Sequence, residues 1–295
     1  MQSYHQLSPK DLLELGRAMI ASGRMGEAIS VCEYVLNTNM ELAANKSFLY
    51  FLATVLLRSG DPDLAARCLS KVSQSAFEAL PSSILAIFTE LQRKQASAES
   101  SKDLSCVYYD KIYSASEEYL KKTGDSQYLP VWKRVLALLK SMDVTSIVDI
   151  GCGPGQFAEF IKENLPYVHY TGVDFSSIAI SQAKKRVDDK HFVFYERNVD
   201  ELDSLNSFKA DVFIFLEVLE HIEADRALLS KLPPKSDAIL SVPDFDSFSH
   251  VRFFNSISQA KERYSPMLSV KEDFEVELSS SATIYLLYGT VKEFA

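Results

Sequence analysis

No stretch of this chain approaches the ~18 uncharged apolar residues that span a bilayer, so no membrane span is expected. The opening residues Met1 to His5 carry no basic patch leading into an apolar run, and a signal peptide is not expected either. Cysteine is sparse. Cys32, Cys68, Cys106 and Cys152 are scattered, with no C-x-x-C pair, which argues against a zinc ribbon or a disulfide framework. They read as the reduced thiols of a cytoplasmic protein. Basic charge is also short: the formal net charge is −9. Residues 1–100 hold nine Lys and Arg against ten Asp and Glu, leaving 22 against 30 for the remainder. An acidic C-terminal region repels a phosphate backbone, so nucleic acid is a disfavoured partner.

What is present describes an ordinary globular protein, with 47% apolar and 24% charged residues over a length of 295 that suits two units. Residues 11–73 match themselves at an offset of 37: Leu15-Gly16 with Leu52-Ala53, Gly23 with Gly60, Ala28 with Ala65, and Cys32 with Cys68 one residue out of step. Each unit reads as helix, glycine turn, helix, with the small residues where two helices approach closely. The pattern resembles the tetratricopeptide repeat. Two repeats bury little surface, so Ser82–Arg93 is expected to cap them as a further helix. On this reading residues 1–95 are an all-helical repeat domain that meets a protein partner or a second copy, and 96–105 a polar linker.

Helical segments near Val107–Lys121 and Tyr128–Lys140 follow, rich in aromatics. Then the pattern alternates. Short apolar runs at Ser146–Ile150, His169–Val173, Phe192–Tyr195, Val212–Leu216 and Ala238–Val242 are separated by helical stretches at Phe157–Asn164, Ser177–Val187 and Ala224–Leu232. Such alternation specifies an α/β fold with a parallel sheet covered on both faces. Phe274–Leu278 and Thr283–Val291, parted by three serines, read as a terminal hairpin, which gives seven strands in all.

The strongest local signal is Ile147-Val-Asp149-Ile-Gly151-Cys152-Gly153-Pro-Gly155-Gln156, a strand ending in a glycine turn that opens a helix. A dinucleotide fingerprint would want a third glycine where Gln156 stands. A second strand ends in Asp174-Phe175, with Asp174 19 residues beyond Gly155. A carboxylate at that spacing suits a ribose. These motifs resemble the class I S-adenosylmethionine-dependent methyltransferases, whose Rossmann-like seven-stranded domain would occupy 106–295, with 106–143 as a helical lid. The resemblance implies that Asp149, Gly151, Cys152, Gly153 and Gln156 hold the aminocarboxypropyl end of the cofactor. It further implies Asp174 on the ribose, Phe175, Asn198 and Val199 around the adenine, and Leu216 and Glu217 alongside the cofactor.

After the fourth strand comes Glu217-Val-Leu-Glu220-His221, which resembles small-molecule O-methyltransferases, including those of ubiquinone biosynthesis and bacterial sugar methylation. The implied acceptor is a small molecule or glycan. His221 would be the general base and Glu220 its partner, with His250 and Arg252 in the acceptor pocket. Two alternatives stand beside this. Glu220 and His221 could merely cap the following helix and anchor Arg252. Or, as the similarity of this Glu-x-x-Glu-His run to the small-RNA 2′-O-methyltransferases implies, Glu217, Glu220 and His221, with His250 near, could ligate Mg²⁺, Mn²⁺ or Zn²⁺. The metal-free base is narrowly expected. Rival functions are a protein or RNA methyltransferase recruited by the repeats, and a non-catalytic scaffold that senses the cofactor.

Overall fold

The computed structural model describes residues 4, 7–59, 61–72, 82–97, 104–115, 117–247 and 249–293. The chain divides into two compact units, Met1–Ala115 and Ser116–Ala295.

The first unit is helical: α1 (Pro9–Ala21), α2 (Met25–Thr38), the short α3 (Met40–Ala43), α4 (Lys46–Ser59), α5 (Pro62–Leu69), α6 (Ser82–Ser97) and α7 (Cys106–Ala115). Local chemistry sets the ends of α1. Ser8 accepts from the Asp11 amide while Asp11 reaches back to the Ser8 amide, and Pro9 starts the helix. At the far end Gly23 (φ +73°) lets its amide bond the Ile20 carbonyl at 3.0 Å and the Arg24 amide bond that of Met19 at 2.8 Å. Only a residue tolerant of the left-handed region closes a helix this way. The matching Gly60 lies outside the described residues. Small residues do mark close helix approach: a Cβ at Gly16 would stand 2.3 Å from the Phe51 ring of α4. Ala28, Ala53 and Ala65 are buried.

The boundary between units falls after residue 115, rather than in the polar stretch 96–105. The reason is Glu90 of α6, a buried carboxylate that accepts from Arg93 at 2.8 Å and from the Ser105 amide at 3.2 Å. Burial pushes its pKa up, but the Arg93 and Ser105 bonds prevail and hold it below the ordinary carboxylate range. These bonds seat α7 on α6. The segment read as one helix, Val107–Lys121, is therefore two, with Cys106–Ala115 in the first unit and α8 (Glu117–Leu120) in the second.

The second unit continues through a 3-10 turn (Thr123–Asp125) and α9 (Leu129–Ser141) into an alternating series. This comprises β1 (Ser146–Ile150), α10 (Gln156–Asn164), β2 (His169–Asp174), α11 (Ser177–Arg186), β3 (Phe192–Glu196), β4 (Val212–Phe215), α12 (Asp225–Ser230), β5 (Asp237–Pro243), α13 (Ile257–Tyr264), β6 (Leu268–Ser279) and β7 (Ala282–Val291). One seven-stranded sheet results, ordered β3-β2-β1-β4-β5-β7-β6. The first five strands are parallel and the last two antiparallel. This is the Rossmann-like methyltransferase sheet that the resemblance implies. Successive residues alternate between two cores: Val212 and Ile214 pack with α9, α10 and α11, and Phe213 and Phe215 with α12 and α13. That period of two, with both faces apolar, is what buries a parallel sheet completely.

Strand order reverses at β1, with β2 on one side and β4 on the other. In open α/β sheets ligands bind in the crevice beyond the strand ends at such a point. At the opposite end Asp211 accepts from the Thr145 and Ser146 amides at 2.7 and 2.9 Å, tying the starts of β1 and β4 together. Among the described residues no helix is long and apolar enough to cross a membrane.

Candidate active site

The glycine turn after β1 occupies the crevice. Gly151, Gly153 and Gly155 all have positive φ (74°, 52° and 81°). Gly151 is doubly constrained, since a Cβ there would lie 2.4 Å from the Val218 side chain of the segment after β4. The amides of Gly151 and Cys152 donate to the Val173 carbonyl at 2.7 and 3.1 Å, which carries β1 pairing past the strand into the turn. Asp174 then joins turn to strand: one carboxylate oxygen accepts from the Gly153 amide and the other from Ser176, each at 2.9 Å. Asp174 thus stands against the glycine turn and fixes its shape.

Asp149 is buried beneath the turn and accepts a hydrogen bond from the Tyr170 hydroxyl. Burial lifts its pKa to about 7, and the Asp174 charge adds to the rise while Tyr170 opposes it. The Tyr170 phenol was not singled out from the sequence, where it is one alternating position of a strand.

Several residues expected at the cofactor hold neighbouring segments together. Gln156 donates to the carbonyls of Glu118 and Lys121, both at 3.2 Å. Arg186, at the end of α11, bonds the carbonyls of Pro154 (3.1 Å), Tyr119 (3.0 Å) and Lys121 (3.2 Å), and pairs with Glu159 at 3.0 Å. Glu159 in turn accepts from the Thr123 hydroxyl. Gln156, Glu159 and Arg186 therefore strap residues 118–123 to the glycine turn and its helix. Cys152 buries its side chain in the core, so its backbone is what the turn uses. Phe175 is half-buried just past Asp174, and Asn198 donates to Glu201 at 3.1 Å. Val199 and Leu216 are partly buried against the two cores.

The other side of the crevice is built by the segment after β4. Glu217 sits at φ +56°, an unusual conformation for a non-glycine residue. Ser241, at the end of β5, holds it: the Glu217 amide donates to the Ser241 hydroxyl at 2.8 Å, and that hydroxyl donates to the Glu217 carboxyl at 2.7 Å. The reversal turns the chain into a 3-10 turn, Leu219–His221. Burial raises Glu217 to about 7. Glu220 is fully buried, with the Glu217 carboxyl bonded against its own and His221 Nε2 3.8 Å away. Burial, with Glu217 beside it, pushes its pKa well up.

His221 Nδ1 lies 2.9 Å from the Ser249 carbonyl, which can only accept, so Nδ1 carries the proton. Its Nε2 stands 3.8 Å from the Glu220 carboxyl. Burial brings the ring's pKa down to about 4, partly offset by the Ser249 bond. His250 is buried edge-on to His221, ring centroids 5.0 Å apart, with Nδ1 3.2 Å from the Phe245 carbonyl. Arg252, expected in the acceptor pocket, clasps the turn. It donates to the carbonyls of Leu219, Ile222 and Glu223 and pairs with buried Asp225 at 3.2 Å. Its planar guanidinium, with five donors in a fixed fork, can bond several turn carbonyls and a carboxylate at once. The residues that sequence reasoning missed are Tyr170 and Arg186, and Ser241, which begins a segment expected in the acceptor pocket, was not foreseen as the partner of Glu217. Each acts through a contact between distant segments.

A family model described as a methyltransferase domain matches residues 148–233. The trans-aconitate 2-methyltransferase of Rhodopseudomonas palustris (strain BisA53) is 31% identical over 141 residues, covering 46% of this chain and 53% of the relative. The demethylmenaquinone methyltransferase of Thermotoga maritima is 29% identical over 85 residues, covering 26% and 37%. The chain thus spans about half, or less, of the curated relatives it matches. Among solved structures, the complex of the Haloferax volcanii Trm112 methyltransferase activator with a candidate methyltransferase aligns at a TM-score of 0.50 and 14% identity. That alignment covers 63% of this chain and 98% of the other, and it supports the fold.

Proposed function

We propose that this protein is an S-adenosylmethionine-dependent methyltransferase acting on an oxygen nucleophile of a small molecule or glycan. The observation that carries the proposal is the glycine turn locked to Asp174 at the sheet's reversal point, beside a segment that delivers Glu217, Glu220 and His221 to the same crevice. The fit to the cofactor rests on the turn itself. Side chains at Gly151 and Gly155 would collide with Val218 and Ala183, so only glycine lets the turn pack this closely at the end of β1, where its backbone would meet the cofactor. Asp149, Asp174 and the backbone of 151–153 would hold the cofactor, with Phe175 and Asn198 on the adenine side. When bound, S-adenosylmethionine supplies a methyl group on a sulfonium, an electrophile with a good leaving group.

The chain's own work is then to orient the acceptor and take its proton. Burial keeps His221 neutral, the form that accepts a proton, and the Ser249 carbonyl fixes the tautomer with Nε2 toward Glu220. Two carboxyls at this end favour a neutral hydroxyl over an anionic acceptor. The relatives' names support a small molecule as acceptor, and trans-aconitate, a tricarboxylate, is a different class of nucleophile from the hydroxyl proposed. The strap at 118–123 shields the crevice from water in the manner of a lid. The helical unit, with its tetratricopeptide-like self-similarity, is assigned to docking a partner or a second copy. Its thiols suit a cytoplasmic setting.

Titration calorimetry with S-adenosylmethionine and S-adenosylhomocysteine tests the reading. One site per chain is expected, weakened several-fold or more by Asp174→Asn, because hydrogen bonds to a charged group contribute roughly 1.5–3 kcal/mol each. Heat with NAD and none with either sulfur ligand would sink it.

A further inference from the structure

His221, on which the proposed function rests its proton transfer, sits in a turn that its own backbone holds weakly. The His221 amide donates to the Val218 carbonyl at 3.1 Å, and the Ile222 amide to that of Leu219 at 3.4 Å, a long hydrogen bond. The stiffening comes from the segment after β5. The Ser249 carbonyl meets His221 Nδ1 at 2.9 Å, and the Val251 amide donates to the Glu220 carbonyl at 2.8 Å. The Arg252 guanidinium spans the carbonyls of Leu219, Ile222 and Glu223. We propose that Asp225 is a positioning residue for His221: it holds Arg252 in the pose that fixes this turn, and with it the orientation of the imidazole. The inference rests on the methyltransferase reading for what His221 does, but the positioning is measurable without a substrate.

An arginine side chain has many rotamers, so a guanidinium that spans one turn needs something behind it to select a single pose. Asp225 supplies that. It is 1% exposed and opens α12. Its Oδ1 accepts from the Arg226 amide at 2.8 Å and from Arg263 Nη2 at 2.7 Å. Its Oδ2 accepts from Arg263 Nε at 2.7 Å and from the Tyr264 hydroxyl at 2.9 Å. Arg263 therefore grips the carboxylate at two points, which fixes its plane as well as its place. Arg252 Nη1 stands 3.2 Å from the same Oδ2. The start of α12, the end of α13, the segment after β5 and the turn after β4 converge on one carboxylate.

A tie between α12 and α13 would be complete without Arg252. The Arg226 amide, the two nitrogens of Arg263 and the Tyr264 hydroxyl already give Asp225 four donors. A carboxylate has about four lone-pair sites to fill. Arg252 adds a second guanidinium, and two cations on one buried anion leave a surplus of positive charge. That surplus faces the carbonyls of the turn, whose partial negative charge accommodates it. The charge count thus joins Arg252 to the turn as well as to Asp225. Without the Asp225 charge the two guanidiniums would repel each other across a neutral side chain. Arg252, held at 3.2 Å against 2.7 Å for Arg263, is the one that would let go.

The experiment is long-range proton–nitrogen NMR on the full chain with isotope-labelled histidine at a fixed pH, with His221→Gln assigning the ring signals. In the parent the His221 ring is expected as one tautomer, protonated at Nδ1. Asp225→Asn should convert it to a mixture of tautomers and speed amide exchange at 219–222 by about tenfold or more, with the amides of β4 and β5 unchanged. Leu228→Ala, in the core on which α12 packs, does not touch the network and should leave the ring as in the parent. If Asp225→Asn unfolds, Arg252→Lys takes its place, because an ammonium keeps the charge but cannot span three carbonyls. A parental ring in the folded variant overturns the proposal. So does an equal disturbance from Leu228→Ala, which would mean that any loss of packing loosens the turn. Titration of the parent with S-adenosylmethionine keeps the two readings apart. No binding would end the methyltransferase reading and leave the positioning result standing, whereas normal binding with an undisturbed ring in the variant would do the reverse.

Discussion

At the scale of single residues, the crevice is a place where carboxyls are kept out of water. Asp149 shows what that does to stability. Its pKa is about 7 in the folded chain, against roughly 3.9 when unfolded. Between those values the native state keeps a proton that the unfolded state has lost. Stability from this group is therefore greatest below about pH 4, declines as pH rises toward 7, and is level above. Asp149→Asn keeps an acceptor for the Tyr170 hydroxyl and removes the charge. It should stabilise the ligand-free protein by about 1–3 kcal/mol at pH 8 and by much less at pH 5, the gain held below the full shift because a buried amide is costly too. Denaturant melts at the two pH values decide this. An equal gain at both would mean that the native carboxyl is already ionised at pH 5. Glycine makes a complementary point at residue 151. Its positive φ and its contact with Val218 combine backbone and side-chain reasons for one residue type.

At the scale of elements, the strap and the 219–223 turn are irregular segments made rigid by side chains from elsewhere. Arg186→Ala removes bonds to three carbonyls and the Glu159 pair. It should cost about 2 kcal/mol and speed amide exchange in 117–123 at least tenfold, with the sheet amides unaffected. Uniform acceleration across the domain would show that Arg186 supports the core rather than the strap. These segments are also where the sequence stops being legible. The strands and most crossover helices were readable because Ile147 to Ile150 or Val212 to Phe215 are short apolar runs bounded by turn residues. The helix Ile257–Tyr264 was not, since it buries little beyond Ala260 and Tyr264. The first half of β6 escaped for a like reason: Lys271, Glu272 and Asp273 lie on an edge strand, where charge is tolerated. In the site, Asp174 and the glycines could be placed by spacing along one segment. Ser241, Tyr170 and the roles of Gln156 and Arg252 could not, because each is defined by a partner that only the folded chain brings near.

At the scale of the molecule, two units with separate cores predict separability. The helices bury Val31, Phe48, Leu52 and Ile87 among themselves, and the sheet has its own two layers. A chain beginning at residue 116 should fold, melt cooperatively and bind S-adenosylmethionine within about threefold of the full-length protein, a margin set by ordinary additivity between independent regions. Aggregation of that fragment, or loss of binding, would show that the helical unit completes the catalytic one. The edge-on contact of His221 with His250 carries a further consequence, for the order in which the protein comes into being. The residues of the glycine turn and Asp174 leave the synthetic machinery well before His250 does. At roughly 5–20 residues per second that interval is several seconds or more. During it, a nascent chain has the parts of a cofactor cradle but no complete acceptor end. On the proposed assignment, the acceptor end stays incomplete until His250 has been made, after the residues of the cradle.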